Sequence, residues 1–182
     1  MSAVLVGKIK VIHEKNYIDD LFTVEECGFL LRCLTDENHD DVYIAALIAF
    51  LESRDEMMDY FLAHIDDISA KSWMLAVPML ASADYVKCYE YLFSSLKRVD
   101  DEEQVAMIIF SLSSTHFPIM VFVMEELFTD NPVYLDRLKQ LIKLMGFDKV
   151  MTYLSLLPQI RFEYIFRDIF GDHKLDQLKQ KK

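Results

Sequence analysis

The chain has 182 residues, enough for one large domain or two small ones. Apolar residues make up 53% of it and charged residues 27%, while glycine and proline occur four times each, which excludes a disordered chain and disfavours a sheet-rich fold with many tight turns. The net charge of −11 argues against generic binding to nucleic-acid phosphates or anionic membranes.

In chain order, residues 1–20 fit either a strand or one helical face, through Val4, Leu5, Val6, Ile9 and Val11. A helix is preferred, because little else nearby could pair with a strand. Thr23, Val24, Glu25 and Glu26 have the form of a capping box. Phe22 can staple against Cys27, and the helix should run to about Leu34. Residues 35–40 read as a polar loop.

Four helical hairpins are then expected. In the first, residues 42–51 are apolar on nearly every side. Ser53, Arg54, Asp55 and Glu56 look like a second capping box, opening a helix whose stripe is Met57, Met58, Phe61, Leu62 and Ile65. The second pairs an apolar run from Trp73 to Ala81 with a stripe of Tyr85, Tyr89, Leu92 and Leu96. Pro78 should bend or break its first helix. In the third, Asp100 to Glu103 caps an apolar run from Val105 to Phe110, and Pro118 falls in the partner's first turn. In the fourth, Asn131 and Pro132 start a helix and Gly146 stops it. Leu135, Leu138, Leu141, Ile142 and Met145 line one side of it, and polar residues the other.

After Pro158 a short helix carries Ile160, Phe162, Ile165, Phe166 and Ile169 and ends near Gly171. The expected organisation is one all-α domain over 1–171. It comprises an N-terminal helical segment (1–40), four hairpins (41–157) and a final capping helix (158–171). A polar tail follows over 172–182. First helices that are apolar all round should be central. The fourth pair, polar outside, should act as a terminal cap.

The polar breaks at Asp55, Asp84, His116 and Asp148 recur at 29, 32 and 32 residues. With these hairpin lengths and apolar periods, the chain from Asp41 to Leu157 resembles the HEAT-like group of helical repeats. The tetratricopeptide pattern fits less well, because its small crossing residues are missing. The resemblance implies a short right-handed stack of antiparallel helix pairs with a curved protein-binding surface. It carries over no functional residue.

Charge is uneven. Residues 1–67 hold 5 basic and 15 acidic side chains, residues 68–130 hold 4 and 9, and residues 131–182 hold 10 and 6. Acidic pairs recur at Asp19 and Asp20, Asp40 and Asp41, Asp66 and Asp67, and Asp100 and Asp101. Capping and dipole compensation explain most such pairs. The functional alternative is an edge that docks a basic protein surface. Met57, Met58, Tyr60, Tyr91, Phe122 and Phe128 lie on or beside outward stripes and could line a groove for an amphipathic segment, although core filling is the commoner use of such residues.

His39 and Asp40, with His13 upstream, echo the ligand order of the helical HD-type metal hydrolases, though no fourth ligand stands out. No glycine-rich phosphate loop or nucleophile motif occurs. Cys27, Cys33 and Cys88 read as buried thiols of a reducing, cytoplasmic setting. The uncharged run from Gln104 to Met124 is long enough to cross a bilayer, but Ser111, Ser113, Ser114, Thr115, His116 and Pro118 interrupt it, so two buried helices are expected.

The expected function is stoichiometric binding of a protein, with no cofactor, no nucleic acid and no membrane span, and with self-association open. Adaptors, secretion chaperones and immunity proteins that neutralise a basic toxin work this way. The alternatives are the metal hydrolase and an acidic regulator that mimics nucleic acid.

Overall fold

Capping residues set the helix boundaries. In the computed structural model, which describes residues 2–15, 22–115, 119–155, 161 and 163–171, the chain is all-α, with no strand among the described residues. The helices are α1 (Ser2–His13), α2 (Val24–Thr35), α3 (Asp40–Leu51), α4 (Asp55–His64), α5 (Ala70–Ser82), α6 (Val86–Arg98), α7 (Glu102–Ser114), α8 (Ile119–Glu126), α9 (Pro132–Met145), α10 (Phe147–Leu154) and α11 (Glu163–Phe170). A 3-10 turn, Ile65–Asp67, follows α4.

The N-terminal segment is a helix, α1. Both hydrogen bonds of the Thr23 capping box form, so two amides left without helical partners are satisfied at the start of α2. Phe22 and Cys27, the two ends of the expected staple, are both buried. Asp101 caps α7 through the Gln104 amide, and Asn131 caps α9 with Pro132 behind it. Gly146 ends α9 at φ 77°, a conformation that disfavours any side chain.

Two local expectations fail. Ser53 does not cap α4, because its hydroxyl donates back to the Phe50 carbonyl at the end of α3, and Arg54 takes the cap position without a side-chain capping bond. Pro78 does not break α5, which runs from Ala70 to Ser82. Pro78 is exposed, so the carbonyl that loses its helical donor lies on the solvent side of the helix. The positions of Pro118, Pro158, Ile160, Phe162, Asp19, Asp20, His116 and the tail lie outside the described residues.

The chain divides into two compact units, Met1–Ala83 and Asp84–Lys182. The boundary falls at the turn of the second expected hairpin. The sequence breaks at Asp55, Asp84 and Asp148 each lie at a helix junction or beside one: α3 to α4, α5 to α6 and α9 to α10.

In the first unit α3 packs against α1, α2, α4 and α5. Val42, Ala46, Leu47, Ala49 and Phe50 of α3 are fully buried, with Leu30, Leu34, Phe61, Val77 and Leu80 from its neighbours. Phe50 stacks on Phe61 at 5.0 Å. Each large apolar side chain buried this way contributes about 1.5–3 kcal/mol. Helices two apart in sequence run parallel. Ser2 bonds Asp41 where α1 and α3 begin, and His13 Nε2 lies 3.0 Å from Glu52 where they end. Cys27 Sγ lies 3.4 Å from Met57 Sδ near the starts of α2 and α4. Asp40 pairs with Lys71 at the starts of α3 and α5.

The second unit repeats this logic. Here α6 packs against α8, and α7 against α9, which also meets α11. Tyr164 reaches Asp130 at 3.3 Å where α9 and α11 begin, and Lys139 pairs with Asp168 further along at 2.7 Å. Three basic side chains close helix C-terminal ends, where free carbonyls and the dipole favour cations. Lys97 donates to Leu127 O at 2.6 Å, Arg137 to Leu96 O at 2.5 Å, and Lys149 to Ser113 O at 2.7 Å. Helix α9 packs on α6, α7, α10 and α11, because Tyr134, Leu138, Leu141 and Ile142 are fully buried despite the polar opposite side.

Candidate functional site

The helix starts gather acidic residues. At one end of the first unit, the close of α2 meets the starts of α3 and α5: the Ser69 amide and Ser72 hydroxyl both donate to Leu34 O, and Lys71 Nζ sits 2.5 Å from Asp40. Asp36, Glu37, Asp40, Asp41, Asp66 and Asp67 are all exposed there. The Ser2 hydroxyl holds the Asp41 carboxyl below its usual range, and Asp40 raises the Lys71 amine. In the second unit Asp100 is exposed, while Asp101 is committed to capping α7. Capping and ion pairing thus account for part of the acidic set.

The aromatic and methionine candidates lie elsewhere, on α4, α6 and α8 and just after α8; of these Met58 is buried in the core and Phe122 is exposed. Met57 is half-buried in the seam with α2, against Cys27. Tyr60 is half-buried, with its ring 4.5 Å from the His64 ring. Tyr91 is half-buried beneath the Arg98 guanidinium, at 5.4 Å.

The hydrolase set does not converge. His39 and Asp40 stand at the start of α3, whereas His13 meets Glu52 beyond its end. Thirteen residues of helix separate those positions by about 20 Å. No three metal-binding side chains cluster among the described residues. Burial pushes the Cys27 and Cys33 thiols up, which works against a thiolate nucleophile at neutral pH. No described helix is long and apolar enough to cross a membrane, and the run from Gln104 to Met124 is divided between α7 and α8.

Sequence reasoning missed a different surface. The helices expected to be covered all round are open on one side: Ile44 of α3 is 41% exposed and Phe110 of α7 is 66% exposed. Val4 and Val11 of α1, and Val133 and Leu144 of α9, are exposed too. These six and Tyr164 of α11 lie on odd-numbered helices, while Val24, Val86 and Phe122 are exposed on α2, α6 and α8. Two clefts open between parallel odd-numbered neighbours. One, of about 390 Å³, lies between α3 and α5 and is lined by Ile48, Leu51, Glu52, Pro78 and Met79. The other, of about 450 Å³, lies between α7 and α9 and is lined by Glu102, Ala106, Val133, Asp136, Arg137 and Gln140. The available signal was the apolar character of α3 and α7 on every side. It marks an uncovered face as readily as a covered one.

Comparison with protein-family models, with curated proteins and with solved structures found no match.

Proposed function

We propose that the chain is a non-enzymatic protein-binding module, a short stack of antiparallel helix pairs of the HEAT-like kind. It acts by holding a partner protein against the outward faces of its odd-numbered helices. One observation carries this reading. In both units odd-numbered helices begin beside exposed acidic residues and continue into exposed apolar ones. In α3, Asp40 and Asp41 precede exposed Ile44 and half-buried Ile48; in α7, Glu102 and Glu103 precede exposed Ala106 and Phe110. Exposed apolar residues that recur beside a polar rim are the mark of an interaction surface. The parallel docking of helices two apart, with antiparallel neighbours in sequence, supports the stacked-pair architecture. Three buried thiols, Cys27, Cys33 and Cys88, fit a reducing compartment. Adaptors, secretion chaperones and immunity-type neutralisers of basic proteins share this mode of action.

The test is to capture partners from native extract on the full chain and measure the affinity of the one retained. Ile44→Asp and Phe110→Asp change exposed positions and leave the core intact. Loss of about tenfold or more in affinity in at least one variant is expected, because truncating a central contact costs upwards of 1 kcal/mol. Equal affinity for wild type and both variants would sink the proposal.

A further inference from the structure

We infer that the groove between α7 and α9 is a docking site for an amphipathic helical segment of a partner protein. That segment carries lysine or arginine at one end and large apolar side chains at the other. The inference rests on the protein-binding reading and deepens it.

The groove is graded along its length. Both helices run the same way: Glu102 and Ala106 of α7 line the cleft with Val133 to Gln140 of α9, and Lys149, just past the end of α9, bonds Ser113 at the end of α7. The end where they start carries Glu102, Glu103 and Asp136, all exposed. One and two turns on come Ala106 and Phe110 on α7, and Gln140 and Leu144 on α9, spaced four residues apart and so stacked on one helix face. Phe110 and Leu144 continue these faces beyond the cleft lining and are 66% and 60% exposed, so two large apolar side chains stand in solvent past its far end. Among the described residues that line the cleft the one cation is Arg137, which directs its guanidinium to the Leu96 carbonyl at 2.5 Å. Glu102 and Asp136 therefore set the charge at the acidic end.

Charge complementarity selects the occupant. A basic end can meet Glu102, Glu103 and Asp136, while apolar side chains of the same segment rest on Ala106, Phe110 and Leu144. From Asp136 to Leu144 the groove and its apolar extension span about 12 Å, eight residues at the helical rise. A peptide helix of two to three turns matches that length. An acidic segment would place carboxylates against carboxylates.

Two displayed libraries of helical peptides provide the probes. Both carry two leucines one turn apart on one face, with lysines at the other end in one library and glutamates in the other. Selection uses the full chain, and enriched peptides are measured by fluorescence anisotropy. Lysine peptides should be enriched. Their affinity should fall about tenfold on Phe110→Asp, and likewise on the paired change Glu102→Lys with Asp136→Lys, with little change on Ile44→Asp. Far-UV circular dichroism shows whether each variant remains helical, and all three altered groove positions are exposed.

Enrichment of glutamate peptides overturns the inference, as does affinity indifferent to both groove changes. Peptides that lose affinity on Ile44→Asp alone would move binding to α3, sinking the groove while the protein-binding reading stands. Failure of both libraries, with a captured partner still sensitive to Ile44→Asp, has the same consequence. Failure of both libraries with no partner retained would remove both proposals.

Discussion

Tyr134 shows how a single side chain can be buried at a cost. It is fully buried in α9, and its hydroxyl has no hydrogen-bond partner among the described residues. Burial pushes the phenol well above its usual range. Lys97 Nζ lies 5.1 Å over the ring, so the aromatic face supports the lysine that closes α8 while the hydroxyl is unsatisfied. A buried donor without a partner costs about 1–3 kcal/mol. Tyr134→Phe keeps the ring and removes the hydroxyl. It should raise the unfolding free energy by about 1 kcal/mol in urea titrations. An unchanged or lowered midpoint would show that water satisfies the hydroxyl in solution. The helical periodicity around Leu138 and Leu141 marked one buried side of α9 but left Tyr134 unremarked, because a Tyr at a helix start serves equally well on the surface.

At the scale of the element, capping chemistry was the most readable signal. Thr23, Asp101, Asn131 and Gly146 act where their residue types predict, because each satisfies backbone groups within three or four residues. Ser53 did not, since the end of α3 competes for the same hydroxyl. The α2 start also contributes a pH dependence. Burial pushes the Glu26 carboxyl up, but Lys15 at 2.8 Å and the hydrogen bonds with Thr23 outweigh it and hold the carboxyl below its unfolded value of 4.5. A lowered folded pKa gives stability that is present above 4.5 and lost as pH falls through the lower value. Glu26→Ala should therefore cost about 1 kcal/mol at neutral pH. The gap to wild type should close as pH falls from 4.5 through the lower folded value. Denaturant midpoints from pH 7 to 3 measure this, and a gap that persists in acid would assign the loss to packing instead.

At the scale of the whole molecule, helix order reads one way from the sequence and function another. The separation of about 20 Å between His13 and His39 removes the metal-hydrolase set, because α3 stands between them as a rigid spacer. Purified protein should accordingly hold no stoichiometric divalent metal by inductively coupled plasma mass spectrometry; one metal per chain, lost on His39→Ala, would contradict this. The breaks at Asp55, Asp84 and Asp148 located helix junctions correctly, since polar interruptions in apolar periodicity are local. The central role of α9 and the open sides of α3 and α7 were not legible, because an apolar residue is the same letter whether a neighbour covers it or not. Sequence by itself determined the all-α class and most helix boundaries, both of which depend on interactions within a few residues. Only the tertiary structure decided that helices two apart dock in parallel, that His13 and His39 stay apart, and that Ile44, Phe110 and Leu144 face outward. Those outcomes depend on which helix packs against which, and contacts between residues distant in the chain set that choice.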